Sequence, residues 1–483
     1  MASEPTTHRV VAPLPLILIA FLAASAALVG GYWDDTWHTE RGRDAFLIAP
    51  HIAIYAGIAG AGGALTLWAY LVARRAGLTA VWHHKPLVLA LVSVAATLAS
   101  GPIDNFWHVA FGRDAVIWSA PHMLGIAGTL ALAAAMLAEL AGRSEPWARP
   151  LSLVAGALVI AAAGFSAVEY DTDVPQFSVL WYLPVLGFAS AIALSIVRVA
   201  SPVRWAATGS ALLYLAFILV VSGVLALLEF LPPALPLLAL PALVVDIGSR
   251  RGWHPALIAA AFTAALFGSY VPVRNLLGEG VEISATDVAL GLPFTALACW
   301  LVFAVAFGGG PRGKALAGAT AIGALILPAA ALAHDPGQGE SAGTAEVALE
   351  REGASVEISV EPEQDLCEET DPVAVVARRA GEVVRAPLAD AGCRFQGVVE
   401  LPDEGRWFIY AEMRREGQAL ETWLPISVGS GPSEVAEEDR YVYEPPDSAG
   451  GAGETIASIA IYGGVWALLH AALALVRGSR REH

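Results

Sequence analysis

The sequence predicts an all-α polytopic membrane protein of about 12 transmembrane helices, with an extracytoplasmic β-sandwich-like domain inserted before the last helix. Three observations lead to this fold class. Hydrophobic residues make up 56% of the 483 residues, charged residues make up 15%, and the mean hydropathy is +0.59. Apolar runs of roughly 18–25 residues, the length that crosses about 30 Å of hydrocarbon, recur along the chain. A polar segment with alternating apolar residues separates the last run from the others.

The apolar runs are joined by short polar loops, whose basic residues predict the topology. Fifteen Lys and Arg residues fall on one side if the helices alternate, and four fall on the other, namely Arg41, Arg43, Arg113 and Arg274. The positive-inside rule therefore predicts a cell (inner) membrane protein with both termini in the cytoplasm. The first run is long for a signal peptide, and we expect it to be retained. The runs lie at 10–31, 46–72, 86–104, 116–141, 150–168, 178–199, 205–228, 231–247, 255–274, 285–308, 315–333 and 455–476.

The acidic residues are concentrated in the polar segment. Residues 334–452 hold 26 of the 45 acidic residues but 9 of the 28 basic ones, so the net charge of −17 belongs to this segment. Such a charge argues against nucleic acid as a partner. Six short runs such as S-V-E-I-S-V and R-W-F-I-Y-A-E-M alternate between apolar and polar residues, as strands with one buried face do. We therefore predict a small β-sandwich that ends near residue 428.

Two stretches near the N-terminus carry the same pattern. The first, from 32 to 51, reads Y-W-D-D-T-W-H-T-E-R-G-R-D-A-F-L-I-A-P-H, and the second, from 102 to 122, reads P-I-D-N-F-W-H-V-A-F-G-R-D-A-V-I-W-S-A-P-H. Both contain D-x-x-x-H, a Trp before the His, G-R-D-A and a final A-P-H. Agreement over some twenty positions indicates an internal duplication.

The shared residues predict metal binding. An Asp and a His four residues apart lie on one face of a helix, where both can bind one ion. Imidazole and carboxylate ligands suit copper, zinc or iron better than magnesium or calcium. The His of A-P-H begins the next apolar run and can fold back as a third ligand. The predicted ligands are Asp34, His38 and His51 in one copy and Asp104, His108 and His122 in the other.

These residues resemble the metal-site segment of a membrane subunit of the copper membrane monooxygenase family, the particulate methane and ammonia monooxygenases. In that family an Asp, a His four residues on and a His thirteen further on bind copper, which implies Asp34, His38 and His51 here. A second family site of Asn, His and His matches the second copy, where Asp104 replaces the Asn and Asn105 follows it. The resemblance covers about residues 10–141, and it implies copper rather than zinc or iron.

The patterns divide the chain into five regions. They are a duplicated helical metal-binding region (1–144), a helical membrane region (145–333), the extracytoplasmic β-sandwich domain (334–428), a linker (429–453), and a C-terminal transmembrane helix with a cytoplasmic tail (454–483). Cys367 and Cys393 lie in the domain predicted to face an oxidising compartment, and we expect a structural disulfide between them. His83 and His84 are expected in a solvated loop, and Glu229 is expected to pair with Arg274, because membrane charges seldom stand alone.

The sequence leaves the function open among three classes. The resemblance implies a subunit of an enzyme that oxidises a small apolar substrate with O₂. The alternative is a copper acquisition or delivery protein without enzymatic activity, in which the β-domain receives copper from a donor at the outer face. The third is a structural partner of a larger complex. The expected partners are the lipid bilayer and either other membrane subunits or further copies of the chain.

Overall fold

The computed structural model describes residues 11–479, apart from 42–45, 112–116, 176, 279, 309–339, 430–432 and 446–450. Within these residues, ten helices are long and apolar enough to cross a membrane, as a multi-pass protein requires. The helices are α1 (Leu14–Glu40), α2 (Ala49–Ala76), α3 (Leu78–His83), α4 (Lys85–Phe111), α5 (Ala120–Ala141), α6 (Ala148–Gly164), α7 (Val168–Asp171), α8 (Tyr182–Ala200), α9 (Ala206–Leu227), α10 (Ala239–Arg250), α11 (Pro255–Leu277), α12 (Ala285–Phe307), α13 (Gln364–Cys367) and α14 (Ala452–Ser479).

Two of the twelve predicted spans are not among these ten. The run at 315–333 lies outside the described residues. The helix predicted at 231–247 is wrong in its first half, since regular helix begins only at Ala239 and lasts 12 residues. Pro232, Pro233 and Pro236 account for the difference, because proline has no N–H to donate and disfavours helix in the residue before it.

The first copy of the motif is carried by a hairpin of α1 and α2, which pack closely. Pro50 lies in the first turn of α2, where its missing N–H costs nothing, so the sequence A-P-H starts the helix and leaves His51 on its first turn. Gly57 permits the close approach of the two helices. A Cβ added there would lie 2.6 Å from the carbonyl oxygen of Ala23 and 2.7 Å from the backbone nitrogen of Ala27.

The second copy is carried by α4 and α5, and its packing is equivalent. Gly128 lies six residues after the histidine of its A-P-H, as the contact glycine of the first hairpin does. A Cβ at Gly128 would lie 3.1 Å from the carbonyl oxygen of Ser93 and 3.2 Å from the backbone nitrogen of Thr97. These two partners stand 11 and 7 residues before the motif aspartate, as the partners in the first hairpin do. The duplication therefore extends from the motif to the packing of each helical hairpin.

The polar segment folds into one nine-stranded antiparallel sheet in the order β4-β3-β7-β8-β9-β1-β2-β6-β5. The two ends of this sheet approach each other, since Gly397 of β6 lies against the side chain of Val375 in β3 and the carbonyl oxygen of Pro387 in β4. The strands are β1 (Glu340–Glu352), β2 (Ser355–Pro362), β3 (Thr370–Arg379), β4 (Glu382–Pro387), β5 (Ala389–Asp390), β6 (Phe395–Glu400), β7 (Gly405–Arg415), β8 (Gln418–Val428) and β9 (Glu434–Glu444).

The sheet corrects two predictions about this domain. A sandwich of two sheets was expected, but a single sheet rolls into a near-barrel; alternating residues bury one face in either architecture and do not distinguish them. The segment 429–453 was expected to be a linker, yet it contains strand β9, which pairs with β1 from Glu340–Glu444 to Arg351–Glu434. Its many acidic residues face outward, where a strand tolerates them.

The predicted disulfide between Cys367 and Cys393 is confirmed. It joins α13, which follows β2, to the turn between β5 and β6, and the two Cα atoms lie 5.5 Å apart. Cys393 has φ = 65°, a left-handed conformation that suits a tight turn. The bond therefore fixes two connecting segments of the sheet to each other. The third cysteine, Cys299, is free and buried within α12.

Two expectations about charged groups are wrong. His84 is buried rather than solvated, because its Nε2 atom lies 2.8 Å from Oε2 of Glu139, while His83 is exposed and hydrogen bonds only locally, to the carbonyl oxygen of Thr79. Arg143 completes this cluster with a hydrogen bond of 2.7 Å to Glu139. The cluster ties the N-terminal end of α4 to the C-terminal end of α5.

Arg274 also has a different partner from the one expected. Its guanidinium lies 2.9 Å from Oδ1 of Asp171, at the end of α7, and donates to the hydroxyl of Tyr182 and the carbonyl oxygen of Leu235. Glu229, the expected partner, has φ = 62° in the turn after α9. Asp171 is 103 residues from Arg274 in sequence, so the pair could not be found from neighbouring helix ends.

Candidate metal centre

The first copy of the motif brings three ligand atoms together. Asp34 and His38 lie on the last turns of α1, and His51 lies on the first turn of α2. Oδ1 of Asp34 is 3.5 Å from Nε2 of His38 and 3.1 Å from Nε2 of His51, and all three atoms lie within 4.8 Å of one another. Ligands that surround one ion tetrahedrally at about 2.0–2.2 Å are about 3.3–3.6 Å apart. The separations from Asp34 are therefore those of ligands on one ion.

Hydrogen bonding provides a test of whether these residues fit a metal. Oδ1 of Asp34 is buried and accepts no hydrogen bond from the described residues, although two imidazole nitrogens lie near it. Nδ1 of His38 is also buried, and it has no hydrogen-bond partner in the same part of the chain. Buried polar atoms in proteins are normally satisfied, and a carboxylate oxygen without a donor is costly unless a cation lies beside it. The geometry and the unsatisfied oxygen both fit a metal ion at this position.

The second copy is arranged in a related way. Oδ1 of Asp104, near the end of α4, lies 3.3 Å from Nε2 of His122, on the first turn of α5. Ser119 begins α5, since its hydroxyl accepts a hydrogen bond from the backbone N–H of His122. His108 lies on α4, but its side chain is outside the described part of the chain. The structure thus brings together two of the three predicted ligands, and the third stays a prediction.

The two groups open onto one cavity of about 200 Å³. Asp34 and His38 line it from one hairpin, and His122 lines it from the other. Most of the remaining wall is apolar, from residues such as Leu28, Ile58, Ile126 and Phe165. Hydroxyl groups lie deeper between α4 and α5, on Thr97, Ser100 and Thr129.

Three further polar residues of the cavity were not singled out from the sequence. Asp35 follows Asp34, and its Oδ2 accepts a hydrogen bond of 3.0 Å from the hydroxyl of Thr172. Glu169, near the end of the fifth membrane helix, accepts a hydrogen bond of 2.6 Å from the N–H of Ile117. The ring of Tyr55 lies 5.7 Å from that of His51.

A sequence signal existed for only some of these residues. Tyr55 follows His51 by one helical turn and could have been placed on the same face; the equivalent position in the second copy is Ile126. Asp35 doubles the carboxylate of the first motif. No motif marks Glu169, which reaches the cavity only because the fifth membrane helix packs against both hairpins. The G-R-D-A segments at 42–45 and 112–115, expected to orient ligands, lie outside the described residues.

Comparison with protein-family models, with curated proteins and with solved structures finds no match to this chain. The resemblance to the copper membrane monooxygenases therefore depends on the two motifs and their spacing. A functional proposal must be argued from the ligand atoms, the cavity between the two hairpins and the residues that enclose it.

Proposed function

We propose that this chain is a copper-binding integral membrane protein whose metal centre is formed by Asp34, His38 and His51. The observation that carries the proposal is the convergence of these three ligand atoms at the mouth of one helical hairpin. Two imidazoles and one carboxylate, with Tyr55 as the neighbouring ring, provide no thiolate or thioether. Such a donor set suits copper(II), zinc and iron, and the resemblance to the monooxygenase family favours copper.

The cavity supports oxidation of a small apolar molecule with O₂ as the activity of this centre. It is predominantly apolar, it begins at the ligands Asp34 and His38, and its size suits a small molecule. Copper, when bound, supplies one-electron redox chemistry that these side chains lack. The protein's own residues hold the ligands in place, provide apolar walls and place carboxylates such as Asp35 and Glu169 where they can accept protons.

Copper delivery is the second candidate, and a specific observation favours it. The hydroxyl groups of Thr97, Ser100 and Thr129 line the cavity below the motifs, where the sequence had indicated few polar groups. A conduit for ions requires such groups to continue across the membrane. Ser93 is the next polar residue on that face of α4; it is fully buried, and its hydroxyl donates to no acceptor among the described residues. The cavity therefore supports an enzyme better than a conduit.

The proposed location is the outer face of the cell membrane. The positive-inside rule predicts both motifs and the β-domain on the extracytoplasmic side. Their common side is supported by contacts, since Arg440 of β9 donates a hydrogen bond of 2.7 Å to the carbonyl oxygen of Glu40, at the end of α1. A disulfide between Cys367 and Cys393 is typical of an oxidising compartment.

Metal analysis tests this proposal. Protein purified in mild detergent and loaded with copper, zinc or iron should retain copper preferentially, at about two ions per chain if both hairpins bind. His38→Ala should lose about one of these ions, because only two ligands stay at the first group. The matched control is His83→Ala, which removes an exposed imidazole that contacts only its own helix. Equal copper content in His38→Ala and His83→Ala would show that His38 is not a ligand.

A further inference from the structure

The β-domain covers the mouth of the cavity that holds the proposed metal ligands. Its strands β7 and β8 present one face to the core of the near-barrel, with Trp407, Ile409 and Leu424. The opposite face carries Phe408, Tyr410 and Trp423, which pack with Val174 from the loop after α7. The same four residues line the cavity beside Asp34 and His38. The outer wall of the metal cavity is thus built from residues almost 400 positions away in sequence.

Arginines of the β-domain hold this wall against the helices. Arg440 donates 2.7 Å to the carbonyl oxygen of Glu40, two residues after His38, and its guanidinium lies 5.2 Å from the ring centre of Trp423. A positive charge at a helix C-terminus is favourable, because carbonyl oxygens there lack partners within the helix. Arg440 therefore connects an aromatic residue of the wall directly to the helix end that carries two metal ligands.

A second contact lies on the other side of the mouth. Arg379 lies 2.8 Å from Oδ1 of Asp173, and the backbone N–H of Arg406 donates to Oδ2 of the same carboxylate. Burial raises the pKa of Asp173, and Arg379 opposes this shift. Burial also lowers the pKa of Arg406, against the effect of Glu40. Desolvation thus offsets much of the attraction, so these pairs define the docked position without making it irreversible.

We propose that the β-domain forms a removable outer wall of the metal centre, and that Arg440 is the positioning residue that keeps the wall and the end of α1 together. With the wall in place, Phe408, Tyr410 and Trp423 separate the ligands from the aqueous phase, so a hydrated ion or chelator reaches them only after the β-domain moves away. The inference relies on the proposed function only for the identity of the ion.

Cavity access can be measured without any metal. A cysteine at Ser100, which lines the cavity, reports how often a charged thiol reagent enters. The native cysteines contribute little, since Cys299 is buried and the other two form the disulfide. In the Ser100→Cys background, Arg440→Ala and Trp423→Ala should each raise the labelling rate about tenfold, the effect expected from losing one charged hydrogen bond or one large wall residue.

The matched control is Arg385→Ala, which breaks an exposed ion pair with Glu412 inside the β-domain and leaves the interface intact. Arg440→Lys keeps a positive charge near the carbonyl oxygen of Glu40 and should restore slow labelling. In copper-loaded protein, Arg440→Ala should also change the electron paramagnetic resonance spectrum of copper(II), and Arg440→Lys should restore it.

The possible results separate this inference from the proposed function. Slow labelling in the parent and in Arg385→Ala, with fast labelling in Arg440→Ala and Trp423→Ala, supports the removable wall even if no copper binds. Copper binding in the parent with the same labelling rate in all variants overturns the wall and leaves the proposed function standing. Fast labelling in the parent also overturns it, because the cavity would then be open with the β-domain present.

Discussion

Replacing Gly57 by alanine tests whether the packing of α1 against α2 sets the geometry of the metal ligands. The new Cβ would lie 2.6 Å from the carbonyl oxygen of Ala23, about 0.8 Å short of an ordinary contact of 3.4 Å. The clash is with backbone atoms, so α1 must move as a unit and carry Asp34 and His38 away from His51. Metal sites tolerate errors of about 0.2 Å in ligand distance. We therefore expect copper affinity to fall about 10- to 100-fold.

The same helix offers a matched control. A Cβ at Gly63 meets nothing within 4 Å, so Gly63→Ala should stabilise α2 by about 1 kcal/mol through helix propensity alone. Gly57→Ala gains the same propensity but loses about 1–3 kcal/mol to overpacking. Copper affinity is measured by competition with a chelator, and stability by thermal unfolding in detergent. If Gly57→Ala binds copper as tightly as Gly63→Ala, the spacing of the two helices does not control the site.

Two other predictions concern topology and the β-domain. A cysteine at the exposed position Leu47, between α1 and α2, should react with an impermeant thiol reagent from outside intact cells, and one at Thr79 should not; the reverse pattern would move both motifs to the cytoplasmic side. Cys393→Ser should destabilise the β-domain by about 3 kcal/mol, because it opens a loop of 26 residues. Thermal unfolding should show the same loss in the parent protein after reduction, and an unchanged melting temperature in both samples would contradict it.

Local features of this fold could be predicted from the sequence. Apolar runs predicted ten of the helices because each is long enough to bury its own backbone hydrogen bonds in lipid. The prolines of the two A-P-H segments start α2 and α5, so the positions of His51 and His122 followed from local rules. The spacing of Asp34 and His38 placed them on one helical face, and the structure brings both to His51.

The features that could not be predicted depend on distant contacts. Arg440 meets Glu40 across 400 residues, and no local pattern records that pairing. One sign was present in R-W-F-I-Y-A, where both faces of β7 are apolar, as in a strand that is covered on each side. The three prolines at 232–236 were outweighed by the high hydropathy of their neighbours. The burial of His84 depends on Glu139 of another helix, so its loop position gave the wrong environment.

The second hairpin differs from the resembled family at one ligand, and this difference can be tested. Asp104 stands where the family has Asn, and its Oδ1 lies 3.3 Å from Nε2 of His122. Two imidazoles and one carboxylate leave a charge of +1 with copper(II), whereas an amide would leave +2 in a poorly solvated position. Asp104→Asn is nearly isosteric and should weaken copper binding at this site about tenfold or more, as measured by chelator competition. The exposed neighbour provides the control, Asn105→Ala, which should bind as the parent does. If Asp104→Asn binds equally well and Asn105→Ala does not, the amide is the ligand and the second hairpin follows the family by one shifted position.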